Sequence, residues 1–178
     1  MTTLIETTLP DGQSTFVETY DVLPSVEPRV IIYFCRDPKI RAAVERFVTK
    51  ELKLDLAECI MMSEFGGVFH ATEQFRLASE FDHFENQLRF ALDNFPTINT
   101  VIGINHDGCG RYAAAQKKWG HMFVGPSSSI ERRQECDLAT FTETVFRVIA
   151  PKHILVKRFF MRFANEERTK VSFEELYL

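Results

Sequence analysis

No stretch of this 178-residue chain approaches the roughly 20 consecutive apolar residues of a membrane-spanning helix, so a helical membrane protein is excluded. Positive charge is not in excess. Lys and Arg number 21 against 25 Asp and Glu, a net charge of -4, without the clustered cations that general nucleic-acid binding depends on. The start, MTTLIETTLPDG, has no basic stretch leading into an apolar core, and the expectation is a cytoplasmic protein without a secretory signal. Cysteine is scarce at four residues, which in a reducing compartment are thiols or metal ligands rather than disulfides. No Gly-x-Gly-x-x-Gly or phosphate-loop pattern occurs. Ser127-Ser128-Ser129 lacks the glycine turn of a serine-hydrolase nucleophile. Internal repeats and low-complexity tracts are absent as well.

What the chain does have is phenylalanine, 17 residues of it, within an apolar content of 45%. So many large apolar side chains imply a bulky core and a buried subunit interface. Residues 1–28 read as an N-terminal arm or hairpin. Thr2–Leu9 and Ser14–Val22 are rich in strand formers and flank the turn signal Pro10-Asp11-Gly12, and Pro24 and Pro28 separate them from the rest.

From Val30 onward strands and helices alternate. VIIYFC (Val30–Cys35) is a continuous apolar run suited to a strand buried on both faces. Asp37-Pro38 then opens a helix, with Asp37 as N-cap and Pro38 at the first position, and Ile40, Val44, Phe47 and Val48 follow at helical spacing. Ala57–Met62 reads as a second strand ending at Gly66-Gly67, and Cys59 within it as a buried core thiol. A helix from Ser79 carries Phe81, Phe84, Leu88, Ala91 and Phe95 on one face. Thr100–Asn105 is a third buried strand and Arg111–Trp119 a helix. Residues 120–136 read as loop, Asp137 as the cap of a helix through Ala150, and His153–Phe163 as a long strand leading into a hairpin. The expected architecture is α/β, a mainly parallel central sheet flanked by helices, with residues 29–178 forming one domain.

Two segments stand at strand ends, where open parallel sheets bind ligands. One is Cys35-Arg36-Asp37-Pro38-Lys39; the other is His106-Asp107-Gly108-Cys109-Gly110. Together they offer two thiols, an imidazole and two carboxylates. Zinc takes tetrahedral sulfur and nitrogen ligands, and a catalytic zinc keeps one of four positions open, so Cys35, His106 and Cys109 fit a Cys2His site. His70 and His83 read as surface or internally satisfied histidines, His121 is within conceivable reach of a metal but belongs to no compact motif, Cys136 has no evident role, and Lys117-Lys118 and Arg132-Arg133 read as solvated surface.

These motifs resemble the beta-class carbonic anhydrases. That family carries Cys-x-Asp-x-Arg after the first core strand and His-x-x-Cys after a later one, and this chain has Cys35-x-Asp37-x-Lys39 and His106-x-x-Cys109. Two departures stand out: Lys39 replaces the family's Arg, and Asn105 stands where Gly is usual. In IMMSEFGG (residues 60–67) only Gly66 matches the family's Arg-Asn-Ala-Gly-Asn loop. The resemblance implies Zn2+ held by Cys35, His106 and Cys109, with Asp37 and Lys39 as the catalytic pair. It implies reversible hydration of carbon dioxide to bicarbonate by metal-bound hydroxide, in a homodimer or dimer of dimers with no nucleic-acid or membrane partner. Two alternatives share the scaffold: hydrolysis of carbonyl sulfide or carbon disulfide, and a zinc-binding relative without catalysis.

Overall fold

The computed structural model describes residues 2–8, 14–20, 26–72, 78–125, 128–149 and 154–177. The turn at residues 10–12, Pro24, Ser127 and the stretch 150–153 lie outside them. Strands β1 (Thr2–Thr8) and β2 (Ser14–Tyr20) pair antiparallel as a two-stranded sheet, with Thr2 opposite Tyr20 and Thr8 opposite Ser14.

The main sheet has five strands: β3 (Val30–Cys35), β4 (Cys59–Glu64), β5 (Thr100–His106), β6 (Leu155–Phe163) and β7 (Val171–Glu175). Their spatial order is β4-β3-β5-β6-β7. The first four run parallel, and β7 turns back antiparallel along β6. The chain leaves β3 for β4 on one side and later returns as β5 on the other. The carboxyl ends of β3 and β5 therefore flank a point where connections diverge, the position at which such sheets form crevices.

Alternation along β3 feeds two cores. Val30, Ile32 and Phe34 face a layer that includes α1 (Pro38–Lys50) and α3 (Gly110–Lys118) through Ile40, Val44, Phe47, Tyr112 and Ala115. Ile31 and Tyr33 face α2 (Ala78–Asn94) and α4 (Ile130–Ile149) through Phe84, Leu88, Leu138, Phe141 and Val145. Much of the phenylalanine lies here: Phe141 stacks on Tyr33 while Phe84 meets it edge-on, and Phe47 packs against both Phe159 and Phe173. Gly103 is required in β5 because a Cβ there would sit 2.7 Å from the Phe141 ring.

Several expectations are corrected. The second strand begins at Cys59 after a one-turn 3-10 helix at Leu56–Glu58, and Cys59 is half-buried, its thiol donating to the Asp55 carbonyl. Phe95 lies beyond the end of α2 and is exposed. Helix α4 starts at Ile130, so residues 130–136 are helix rather than loop, and Asp137 is a buried interior residue rather than a cap. The buried polar pair Gln134 and Asp137 interrupts the apolar pattern and conceals the first two turns. Arg133 is not open surface; its side chain is 15% exposed and bonds Asp137 at 2.9 Å.

Candidate metal centre

Three short pieces of chain converge on the crevice. Cys35 is the last residue of β3, His106 the last of β5, and Cys109 the residue that precedes α3. The tight turn between His106 and Cys109 needs a left-handed residue, and Gly108 supplies it at φ +69°. The three side chains are each about 2% exposed, and their potential ligand atoms lie within 4.8 Å of one another. The two sulfur atoms are 3.8 Å apart.

The imidazole is set for ligation. His106 Nδ1 is 2.8 Å from the carbonyl of Asp107, which can only accept, so Nδ1 carries the proton and Nε2 presents a lone pair. Nε2 is buried and has no hydrogen-bond partner. A buried, unpaired nitrogen beside two sulfurs is costly unless an electrophile occupies the space between them. It is the Asp107 backbone, not its carboxylate, that orients the ring.

The two thiols share one proton, with Cys35 the readier thiolate. A hydrogen bond from Cys109 is the main influence drawing Cys35 down to about 4; burial opposes it, while the Gly66 N–H (3.3 Å) assists. Cys109 is pushed up, since it holds the shared proton and is buried, although the backbone amides of Arg111 and Tyr112 at the start of α3 favour its thiolate. A dication would displace that shared proton and leave two thiolates.

Beneath the ligands lies a buried polar network. Asn105 accepts from the Val68 N–H and donates to Tyr112 Oη and the Gln134 carbonyl. Gln134 donates to the His106 carbonyl at 2.8 Å, and Tyr112 donates to Asp137 at 2.8 Å. Burial and the Asp137 carboxylate raise the Tyr112 pKa, so the hydroxyl stays a donor. Asn105 thus ties β5, α3, α4 and the turn Gly67–Ala71 into one support for the ligands. The sequence shows the unusual Asn105 but not its partners, because residues 120–136 read as loop and Asp137 as a helix cap. The spacing Ile130, Gln134, Asp137, Leu138, Phe141 was the available signal.

A cavity of about 520 Å3 opens beside the cluster, lined by Cys35, Asp37, Pro38, Phe65, Gly66, Cys109, Gly110 and Arg111. Asp37 serves α1 as N-cap through a 3.0 Å bond from the Lys39 N–H and also faces this cavity. Lys39 is exposed and is not among the lining residues. Arg36 and Arg41 are engaged elsewhere, with Ser63 and Glu64 and with Glu45. His70 bonds the Phe65 carbonyl at 2.7 Å and lines a separate cleft, whereas His83 and His121 are exposed. Cys136 is exposed on α4.

No family model matches the chain, and no curated protein matches it in sequence. Solved structures do match in shape. The β-carbonic anhydrase CafA of Aspergillus fumigatus superposes with TM-score 0.55 at 12% identity, covering 84% of this chain and 76% of that one. Isoform I of Trichomonas vaginalis gives 0.51 at 11% identity over 87% and 86%. A tetrameric β-carbonic anhydrase of Sordaria macrospora gives 0.51 at 10% identity over 86% and 83%. The chain therefore has the β-carbonic anhydrase fold.

Proposed function

We propose that the protein is a zinc-dependent carbonic anhydrase that converts carbon dioxide and water to bicarbonate and a proton. The observation that carries this reading is the buried, unpartnered His106 Nε2 facing the Cys35 and Cys109 sulfurs at the crevice of a β-carbonic anhydrase fold. In this reading residues 29–178 are one zinc-binding domain. Cys35, His106 and Cys109 hold the ion, whose contribution is to lower the pKa of a coordinated water to about 7.

The remaining residues divide the work. Pro38 and Phe65 give the cavity an apolar wall suited to an uncharged linear molecule. Asp37 faces the same space with lone pairs beyond the one that accepts from Lys39, so it can accept a hydrogen bond from the attacking water and fix its orientation. Lys39 contributes its backbone amide to that carboxylate rather than a planar two-pronged grip.

Asp37→Asn separates capping from catalysis. Asn caps helices as well as Asp, so thermal stability should change by less than ~1 kcal/mol. Loss of the acceptor geometry should lower kcat at least tenfold, about 1.4 kcal/mol of barrier. Stopped-flow carbon dioxide hydration on zinc-loaded protein, paired with a melting curve, measures both. Unchanged turnover would restrict Asp37 to its cap.

The same reading extends to assembly. Strands β1 and β2 form a sheet of their own, and among the described residues no strand pairs with the outer edge of β4. We expect a homodimer or dimer of dimers in which the hairpin lies across the partner. Deleting residues 1–24 should shift sedimentation at micromolar concentration toward monomer, and a wild-type monomer would contradict it.

A further inference from the structure

The Lys39 substitution leaves the cavity short of a cation on the α1 side. Among the described residues, one cationic side chain lines the cavity, and it comes from the opposite wall: Arg111, the second residue of α3. Its placement is built. The aliphatic stem lies against Gly66, where an added Cβ would be 2.7 Å from Arg111 Cγ, and Gly66 is itself held at φ +102°. The guanidinium sits 5.6 Å over the Phe69 ring. Phe69 is fully buried and packs on Tyr112, so the face on which Arg111 rests is fixed. Yet the guanidinium is underused. Nε is buried with no hydrogen-bond partner, and the ion pair to Glu80 is long at 3.5 Å.

The charge balance gives this cation a task. Two thiolates cancel a bound dication, and Asp37 adds a further negative charge to the cavity wall. An anion formed there would meet net repulsion. We infer that Arg111 is the anion-recognising residue of the cavity: it binds bicarbonate, with its planar fork matched to the anion's carboxylate-like pair of oxygens, and gives up part of its contact with Glu80 to do so. This rests on the carbon dioxide–bicarbonate reading above and assigns the binding of its charged species to a residue outside both strand-end motifs. Resting on a buried ring, the guanidinium is pre-positioned, so little side-chain freedom is lost when the anion arrives.

The test uses the full-length chain loaded with cobalt(II), whose visible spectrum reports anion binding independently of turnover. Bicarbonate is titrated into wild type, Arg111→Gln, Arg111→Lys and Glu80→Gln, with metal per chain measured for each. In Arg111→Gln the bicarbonate dissociation constant should rise about tenfold at unchanged metal content, the scale of one charge-assisted hydrogen-bonding partner. Arg111→Lys keeps the charge without the fork and should fall between. Glu80→Gln releases the guanidinium and should tighten binding, which provides a gain-of-function readout that misfolding cannot mimic. A dissociation constant unchanged within twofold in Arg111→Gln, or unchanged in Glu80→Gln, overturns the assignment of Arg111 while leaving the carbonic anhydrase reading intact if wild type hydrates carbon dioxide. A metal-loaded wild type that neither hydrates carbon dioxide nor binds bicarbonate overturns both.

Discussion

Alanine at Cys35, at His106 or at Cys109 is expected to strip the protein of zinc. Purified, metal-replete wild type should hold about one zinc per chain, and each single variant less than about a tenth of that. The reason lies in the geometry of the cluster. Three ligand atoms within 4.8 Å leave one exchangeable position, so losing any one ligand leaves two protein donors. Among the described residues no fourth His, Cys, Asp or Glu joins the cluster within that distance. Removing Cys109 should also lift Cys35 out of its depressed range, because the Cys109 hydrogen bond is the largest cause of that depression. Metal analysis after dialysis against a mild chelator reads the result. Stoichiometric zinc in all three variants would mean that the ion sits elsewhere.

Gly67→Ala should be the most damaging single change next to the ligands. Gly67 is held at φ +56°, and a Cβ there would lie 2.7 Å from Asn105 Oδ1, 3.0 Å from the Ile104 carbonyl and 3.3 Å from the Cys35 N–H. Two of these neighbours are sheet backbone and cannot move aside. The third is the hub of the polar network and accepts from Val68. Left-handed strain plus displacement of that buried bond should cost about 3 kcal/mol. For a chain of this size that lowers Tm by roughly 6–12 °C. Zinc affinity should fall with it, since the turn also delivers the Gly66 N–H to Cys35. A calorimetric Tm within about 2 °C of wild type, a shift that 1 kcal/mol or less produces, would show that the turn yields more easily than the geometry implies.

The ligands were legible because each stands where local rules are strict. Cys35 ends an apolar run that can only be a buried strand, and Asp37-Pro38 forces a helix to begin at once. His106 and Cys109 are separated by a glycine that permits the reversal between them. The support beneath them was less legible, because its residues break the very pattern used to find helices. Gln134 and Asp137 are polar yet 1% and 2% exposed, and the partners that hold them there include Asn105, Tyr112 and the His106 carbonyl, 25 to 29 positions earlier. Arg111 was hidden for a different reason. Its helix could be read, but the direction of its side chain depends on Gly66 and Phe69, which only the folded chain brings beneath it.

The most direct measurement of the central claim is stopped-flow carbon dioxide hydration by zinc-loaded wild type between pH 7 and 9, with zinc content determined on the same sample and carbonyl sulfide assayed beside it. The predicted result is hydration well above the buffer rate that scales with bound zinc and disappears in Cys109→Ala. Full zinc occupancy with no hydration above buffer across that range would contradict the enzyme reading and leave a zinc-binding protein built on a carbonic anhydrase fold.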